Sequence, residues 1–98
     1  MQRLVIHAPT VNSLHRAYRN LKNFLKQEPD AQVELIVNAG AVVEAINTAD
    51  QQAAQYIVLC ENSLQAAGLT APKGFKTVPA AIHQISQRQA EGWSYFRA

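Results

Sequence analysis

Short apolar runs alternate with stretches of helical periodicity along this chain, and that alternation limits its possible folds more than any other feature. Leu4-Val5-Ile6 reads as a first strand, apolar on both faces and therefore central and parallel. Val33 to Val37 reads as a second strand and Tyr56 to Leu59 as a third. Phe75 to Val78 is a short fourth, and Trp93-Ser94-Tyr95-Phe96 a last. Thr10 to Glu28 predicts a long helix with Thr10 as N-cap. Val11, Leu14, Tyr18, Leu21 and Leu25 share one face of it, while Arg16, Arg19, Lys22 and Lys26 fall opposite. Pro29-Asp30 ends it. Ala41 to Ile46 and Asn62 to Ala67 predict two short helices, the second closed by Gly68. Pro79 marks the start of a final helix, Ala80 to Glu91, with Ile82 and Ile85 facing inward and Gly92 stopping it. Trp93 and Tyr95 alternate in a way that suits sheet-core packing slightly better than a subunit contact.

Strands alternating with helices call for a parallel sheet with right-handed crossovers, covered on both faces. The expected architecture is a three-layer α/β/α sandwich on a mostly parallel, about five-stranded, flavodoxin-like sheet. A single domain spans residues 1–98, and the order of the strands is left open.

Composition narrows the function classes. A chain of 98 residues has room for one core. The formal charge of +2 is too small to imply a nucleic-acid partner. With 16% charged residues, apolar surface is left for a partner subunit to cover, so a homo-oligomer is expected. The single cysteine excludes an intramolecular disulfide framework, and no Cys/His cluster has zinc spacing. No run reaches membrane-spanning length, and the apolar stretch before Pro9 is too short for a signal peptide. The expected location is cytoplasmic and reducing, with Cys60 a free thiol and no membrane contact.

Cys60 is the candidate site. It ends the run Tyr56-Ile57-Val58-Leu59 and opens Glu61-Asn62-Ser63-Leu64-Gln65-Ala66-Ala67-Gly68, a strand end meeting a helix start. In an open α/β sheet that edge is where ligands and chemistry gather. The N–H groups of a helix N-terminus also favour a thiolate. Position alone leaves a reactive thiol and a buried core thiol equally open, and Glu61 beside it would oppose ionisation if it faced the sulfur. The same rim would gather His7-Ala8-Pro9-Thr10, Asn38-Ala39-Gly40, Asn62, Ser63 and Val78-Pro79. His7 could serve Cys60 as a base if the first and third strands are neighbours; otherwise it is a strand-end histidine bonded to its loop. Asn38, Gly40, Asn62 and Ser63 are the candidate binding residues, with Asn62 or Ser63 alternatively a helix cap. His15 and His83 read as surface groups, and the basic stripe as a solvated helix face or a docking patch for an acidic partner. One glycine after the second strand makes no nucleotide-binding fingerprint.

Cys60-Glu61-Asn62-Ser63-Leu64 with Gly68-Leu69 following resembles the cysteine segment of the DsrE/DsrF-like family of small sulfur-relay proteins. Val78-Pro79-Ala80-Ala81 and the run Arg88-Gln89-Ala90-Glu91-Gly92-Trp93-Ser94-Tyr95 are similar to the ending of one compact, uncharacterised branch of it. His7-Ala8-Pro9-Thr10 and Val37-Asn38-Ala39-Gly40-Ala41 also sit as in that branch. The resemblance implies a sulfur carrier or sulfurtransferase that relays sulfane sulfur as a Cys60 persulfide. It further implies sulfur donor and acceptor proteins as partners, no cofactor or metal, and assembly as a trimer or hexamer. The alternative function is a non-catalytic oligomeric α/β module that binds a small ligand or a protein at the same rim.

Overall fold

In the computed structural model, which describes all 98 residues, each expected strand is present. The order is β1 (Arg3–Ala8), α1 (Val11–Gln27), β2 (Gln32–Val37), α2 (Ala41–Thr48), α3 (Gln51–Ala54), β3 (Ile57–Cys60), α4 (Glu61–Ala66), β4 (Lys76–Val78), α5 (Ala81–Ala90) and β5 (Ser94–Arg97). All five strands are parallel and lie in the order β4-β3-β2-β1-β5. The first four strands therefore step across the sheet in one direction, and the last connection returns to the far edge. Right-handed crossovers put the helices of the forward steps on one face and the returning helix on the other. The packing has that form: a three-layer α/β/α sandwich, with α1 to α4 on one side and α5 alone on the second.

Strand alternation divides the core accordingly. Ile6, Leu35, Val37, Ile57 and Leu59 join Leu14, Ala17 and Leu21 of α1, Ala41, Val42 and Ala45 of α2, and Leu64 of α4 in the larger cluster. The α5 face has a smaller one, made of Val5, Ile36, Val58, Cys60 and Ala81. Helix α1 begins with a reciprocal cap. Ser13 N–H donates to Thr10 Oγ1 at 3.0 Å, and Thr10 N–H to Ser13 Oγ at 2.9 Å. Its basic residues Arg16, Arg19, Lys22 and Lys26 are exposed. Val11, expected on the buried face, is exposed at the helix start.

Two expectations for the α5 side need correction. Ile82 does not face inward; it is 80% exposed, and only Ile85 is half-buried. The inward stripe of α5 is partly polar because β2 offers it a carboxylate. Arg88 Nη2 and Nε donate to Glu34 Oε2 and Oε1 at 2.7 and 3.0 Å, and Gln84 Nε2 donates to Oε1 at 2.9 Å. Burial, the largest influence on Glu34, raises its pKa, but the Arg88 and Gln84 donors outweigh it and the carboxyl lies below its ordinary value. Arg88 also stacks on Trp93, its guanidinium carbon 4.7 Å from the ring centroid. The second correction concerns Tyr95. Trp93 packs half-buried against the α5-side cluster, but all four residues of β5 are exposed at the sheet edge.

Candidate functional site

The carboxyl ends of β1, β2 and β3 bring His7, Asn38 and Cys60 to one rim, and the start of α4 adds Asn62 and Ser63. Cys60 is both the last residue of β3 and the N-cap of α4, and at 5% exposure it is buried. Its side chain belongs to the cluster on the α5 face. The Ala81 N–H at the start of α5 donates to Cys60 Sγ at 3.4 Å. Ala80, the N-cap of α5, has no side chain able to accept a hydrogen bond, so the sulfur takes the place of a cap. The hydrogen bond to the sulfur thus comes from the start of α5, while Cys60 makes no side-chain cap to α4.

Burial is the largest single influence on the Cys60 thiol and pushes its pKa up. The Ser63 hydroxyl and the N–H groups of Ser63, Ala81 and Asn62 together outweigh it, and the thiol lies below its ordinary value. The Ser63 hydroxyl is directed by a second contact. Its oxygen accepts the Ala39 N–H at 2.8 Å. Ala39 sits at φ 50°, a left-handed conformation that costs a side-chain-bearing residue about 1–2 kcal/mol. The strained residue of the Asn38-Ala39-Gly40 turn is therefore Ala39. Gly40 has φ −65° as the N-cap of α2, and a Cβ there would meet no atom within 4 Å. Neither backbone conformation nor crowding demands a glycine at position 40.

Glu61 does not face the sulfur. Its Oε2 accepts the Thr77 hydroxyl at 2.6 Å, beside a cavity that Leu64, Gln65, Leu69, Thr70 and Ala71 complete. Register explains the direction, because Thr77 pairs with Leu59 and shares its face, opposite to that of Cys60 and Val78.

The condition for His7 to act as the base of Cys60 is not met, since β2 lies between β1 and β3. His7 Nε2–H instead donates to Asn38 Oδ1 at 3.0 Å. His7 Nδ1 is hydrogen-bonded to the Tyr95 hydroxyl at 2.8 Å. Tyr95, His7 and Asn38 form a relay that ends one strand away from Cys60. Only the period-two alternation of the last strand pointed to Tyr95. Nothing in the sequence pointed to the Ala81 N–H, because a backbone donor leaves no residue signature.

The remaining polar groups lie elsewhere. His15 Nε2 pairs with Glu44 Oε2 at 2.6 Å instead of being free in solvent, and Tyr18 bonds Thr48 at 2.9 Å, both between α1 and α2. A cavity of about 130 Å³ adjoins them, lined by Tyr18, Leu21, Lys22, Thr48, Asp50, Gln52 and Ala53. An open depression at the rim is lined by Ala39, Asn62, Ser63, Ala66 and Ala67. His83 is exposed on α5. No group of three or more His, Cys, Asp or Glu side chains is disposed to hold a metal ion, and no helix is long and apolar enough to cross a membrane.

Strand order and rim define the class: a small, all-parallel, three-layer α/β domain whose one thiol lies at the carboxyl edge of its sheet. No family model and no curated protein sequence matches the chain. Among solved structures it is similar to MTH1491 from Methanobacterium thermoautotrophicum, described as a protein of unknown function. The TM-score is 0.84, with 22% identity over the full length of both chains. That likeness is one of fold.

Proposed function

We propose that this protein is a sulfur carrier of the DsrE/DsrF-like type, with Cys60 as the sulfur-bearing nucleophile. The observation that carries the reading is the Ala81 N–H at the start of α5 donating to Cys60 Sγ at 3.4 Å, with the thiol lying below its ordinary pKa. A thiolate there attacks the outer sulfur of a donor persulfide. The S–S bond of the donor breaks, the donor leaves as a thiolate, and Cys60 holds the sulfane sulfur as Cys60-S-SH. An acceptor thiolate then attacks that outer sulfur and frees Cys60. The exchange is balanced and needs no oxidant, metal or organic cofactor. The Ala81 N–H and Ser63 stabilise the anion at each step. Asn38, fixed by His7, borders the same rim. The chemistry suits a reducing, cytoplasmic setting, where the thiol stays free.

Incubation with a small-molecule persulfide donor followed by intact-mass measurement tests the reading. The wild type is expected to gain about 32 Da, reversed by a thiol reductant, and Cys60→Ala to gain nothing. A wild type that gains no adduct sinks the proposal.

The burial of Cys60 favours a second reading, a non-catalytic module that binds a small ligand or protein at this rim. It predicts an inert thiol in the same experiment.

Assembly as a homo-oligomer, trimer or hexamer, belongs to both readings. Its support is the large apolar side chains left exposed, Ile82, Tyr95 and Phe96 among them. Light scattering is expected to give a multiple of the 10.8 kDa chain mass; a monomer mass at micromolar concentration contradicts it.

A further inference from the structure

We infer that Glu34 and Arg88 are positioning residues for the Cys60 sulfur: by pinning α5 to β2 they hold the Ala81 N–H against Sγ. The inference rests on the reading that Cys60 is the reacting group.

Helix α5 docks on the sheet with little apolar contact. Ala81 is its only buried residue, against four on α1, and the α5-side cluster has five buried members where the other face has 16. Ala81, Gln84, Ile85 and Arg88 follow one another at three- and four-residue spacing and share a face. Two of those four side chains are polar, and both end on the Glu34 carboxylate. Such charge-assisted bonds are about twice as strong as neutral ones. They carry the docking that Ile82, 80% exposed, does not supply. The carboxyl end of the helix is tied by Arg88 over Trp93 and by Arg3 Nη2 donating to Glu91 O at 2.9 Å. At the amino end the contacts are Ala81 N–H to Sγ at 3.4 Å and Asn62 N–H to Pro79 O at 3.3 Å. Gln84 is one turn from Ala81, so a helix released from Glu34 is free to rotate at the point where its first amide meets the sulfur.

No neighbouring charge replaces that amide. Glu61 is turned to Thr77, His7 is held by Asn38 and Tyr95, and His83 is exposed.

Glu34→Gln separates this role from simple electrostatics by sign. Removing a carboxylate, acting through space, favours the thiolate and lowers the thiol pKa. Losing the Ala81 donor raises it. The experiment is alkylation of Cys60 by an uncharged reagent over a pH series, read as the midpoint of the profile so that altered access does not enter. In Glu34→Gln the midpoint is expected to move up, lowering the thiolate fraction near neutral pH by about twofold or more. Arg88→Lys keeps the charge but loses the fork, and is expected to shift the midpoint the same way. Leu21→Ala destabilises the opposite face and is expected to leave it unchanged. A midpoint that stays or falls in both α5-clamp variants overturns the inference, as does an equal rise in Leu21→Ala. Persulfide loading is read separately, so a protein that carries no sulfur can still pass or fail this test.

Discussion

Leu35→Ala is expected to lower the unfolding free energy by about 3 kcal/mol. Leu35 lies in β2, the central strand, paired with Ile6 on one side and Ile57 on the other, and is completely buried. Its side chain packs in the cluster that joins the sheet to α1, α2 and α4. Truncation removes apolar contact and leaves a cavity between strands that their ladders prevent from closing. In a domain of this size a loss of about 3 kcal/mol lowers the melting temperature by roughly 15 °C. Ile82→Ala is the internal comparison. That side chain is 80% exposed, and its loss is expected to change stability by less than about 0.5 kcal/mol. Urea titrations of the two variants check both values. A Leu35→Ala cost below about 1 kcal/mol would contradict the assignment of the main core to the α1 side of the sheet.

Ser63→Ala is expected to raise the titration midpoint of Cys60 and to slow its alkylation at neutral pH. The serine hydroxyl accepts from Ala39 N–H and lowers the thiol pKa, so its removal raises that pKa and leaves a strained backbone amide unpaired. The second loss costs about 1 kcal/mol of stability, measurable in the same samples. The sign of the linked pH dependence follows. A thiol whose pKa is depressed by folding stabilises the native state fully above its unfolded value, near ~8.5, and loses that contribution as pH falls through the folded value. Wild-type stability relative to Cys60→Ala is therefore expected to rise between neutral pH and about 9, with a smaller rise in the Ser63→Ala background.

Strands β1, β2 and β3 were legible because each is a short apolar run between polar segments, the edge strands β4 and β5 from the shorter signals of Phe75 to Val78 and Trp93 to Phe96, and the long helix because its apolar residues recur at helical spacing. Helix α3 was not. Gln51-Gln52-Ala53-Ala54 has no apolar period, and its start is fixed by Asp50 Oδ1 accepting Ala53 N–H at 2.8 Å. Ile82 was misread for a related reason. Apolar periodicity assumes that a helix buries hydrophobes, and α5 instead presents Gln84 and Arg88 to a carboxylate inside a strand. Glu34 was the visible irregularity, a charge within Val33 to Val37, and its partner 54 residues away had no local signature.

At the site, the strand–helix junction of Cys60 could be read directly from composition on either side of it. Its surroundings could not. Strand order decides that β2 separates His7 from Cys60, and order is set by how the crossovers pack, not by any one segment. The direction of Glu61 depends on the register of β3 with β4. The donor to the sulfur is a main-chain amide, Ala81 N–H, a group that every residue but proline carries.

Everything proposed for Cys60 depends on its thiol lying below its ordinary pKa, with the start of α5 donating to the sulfur. The rate of alkylation of the wild-type protein over a pH series measures that directly. The account predicts a single titration with its midpoint below that of an unperturbed cysteine thiol, ~8.5. A midpoint at or above that value would mean that burial outweighs the Ser63, Ala81 and Asn62 donors, and would contradict the account.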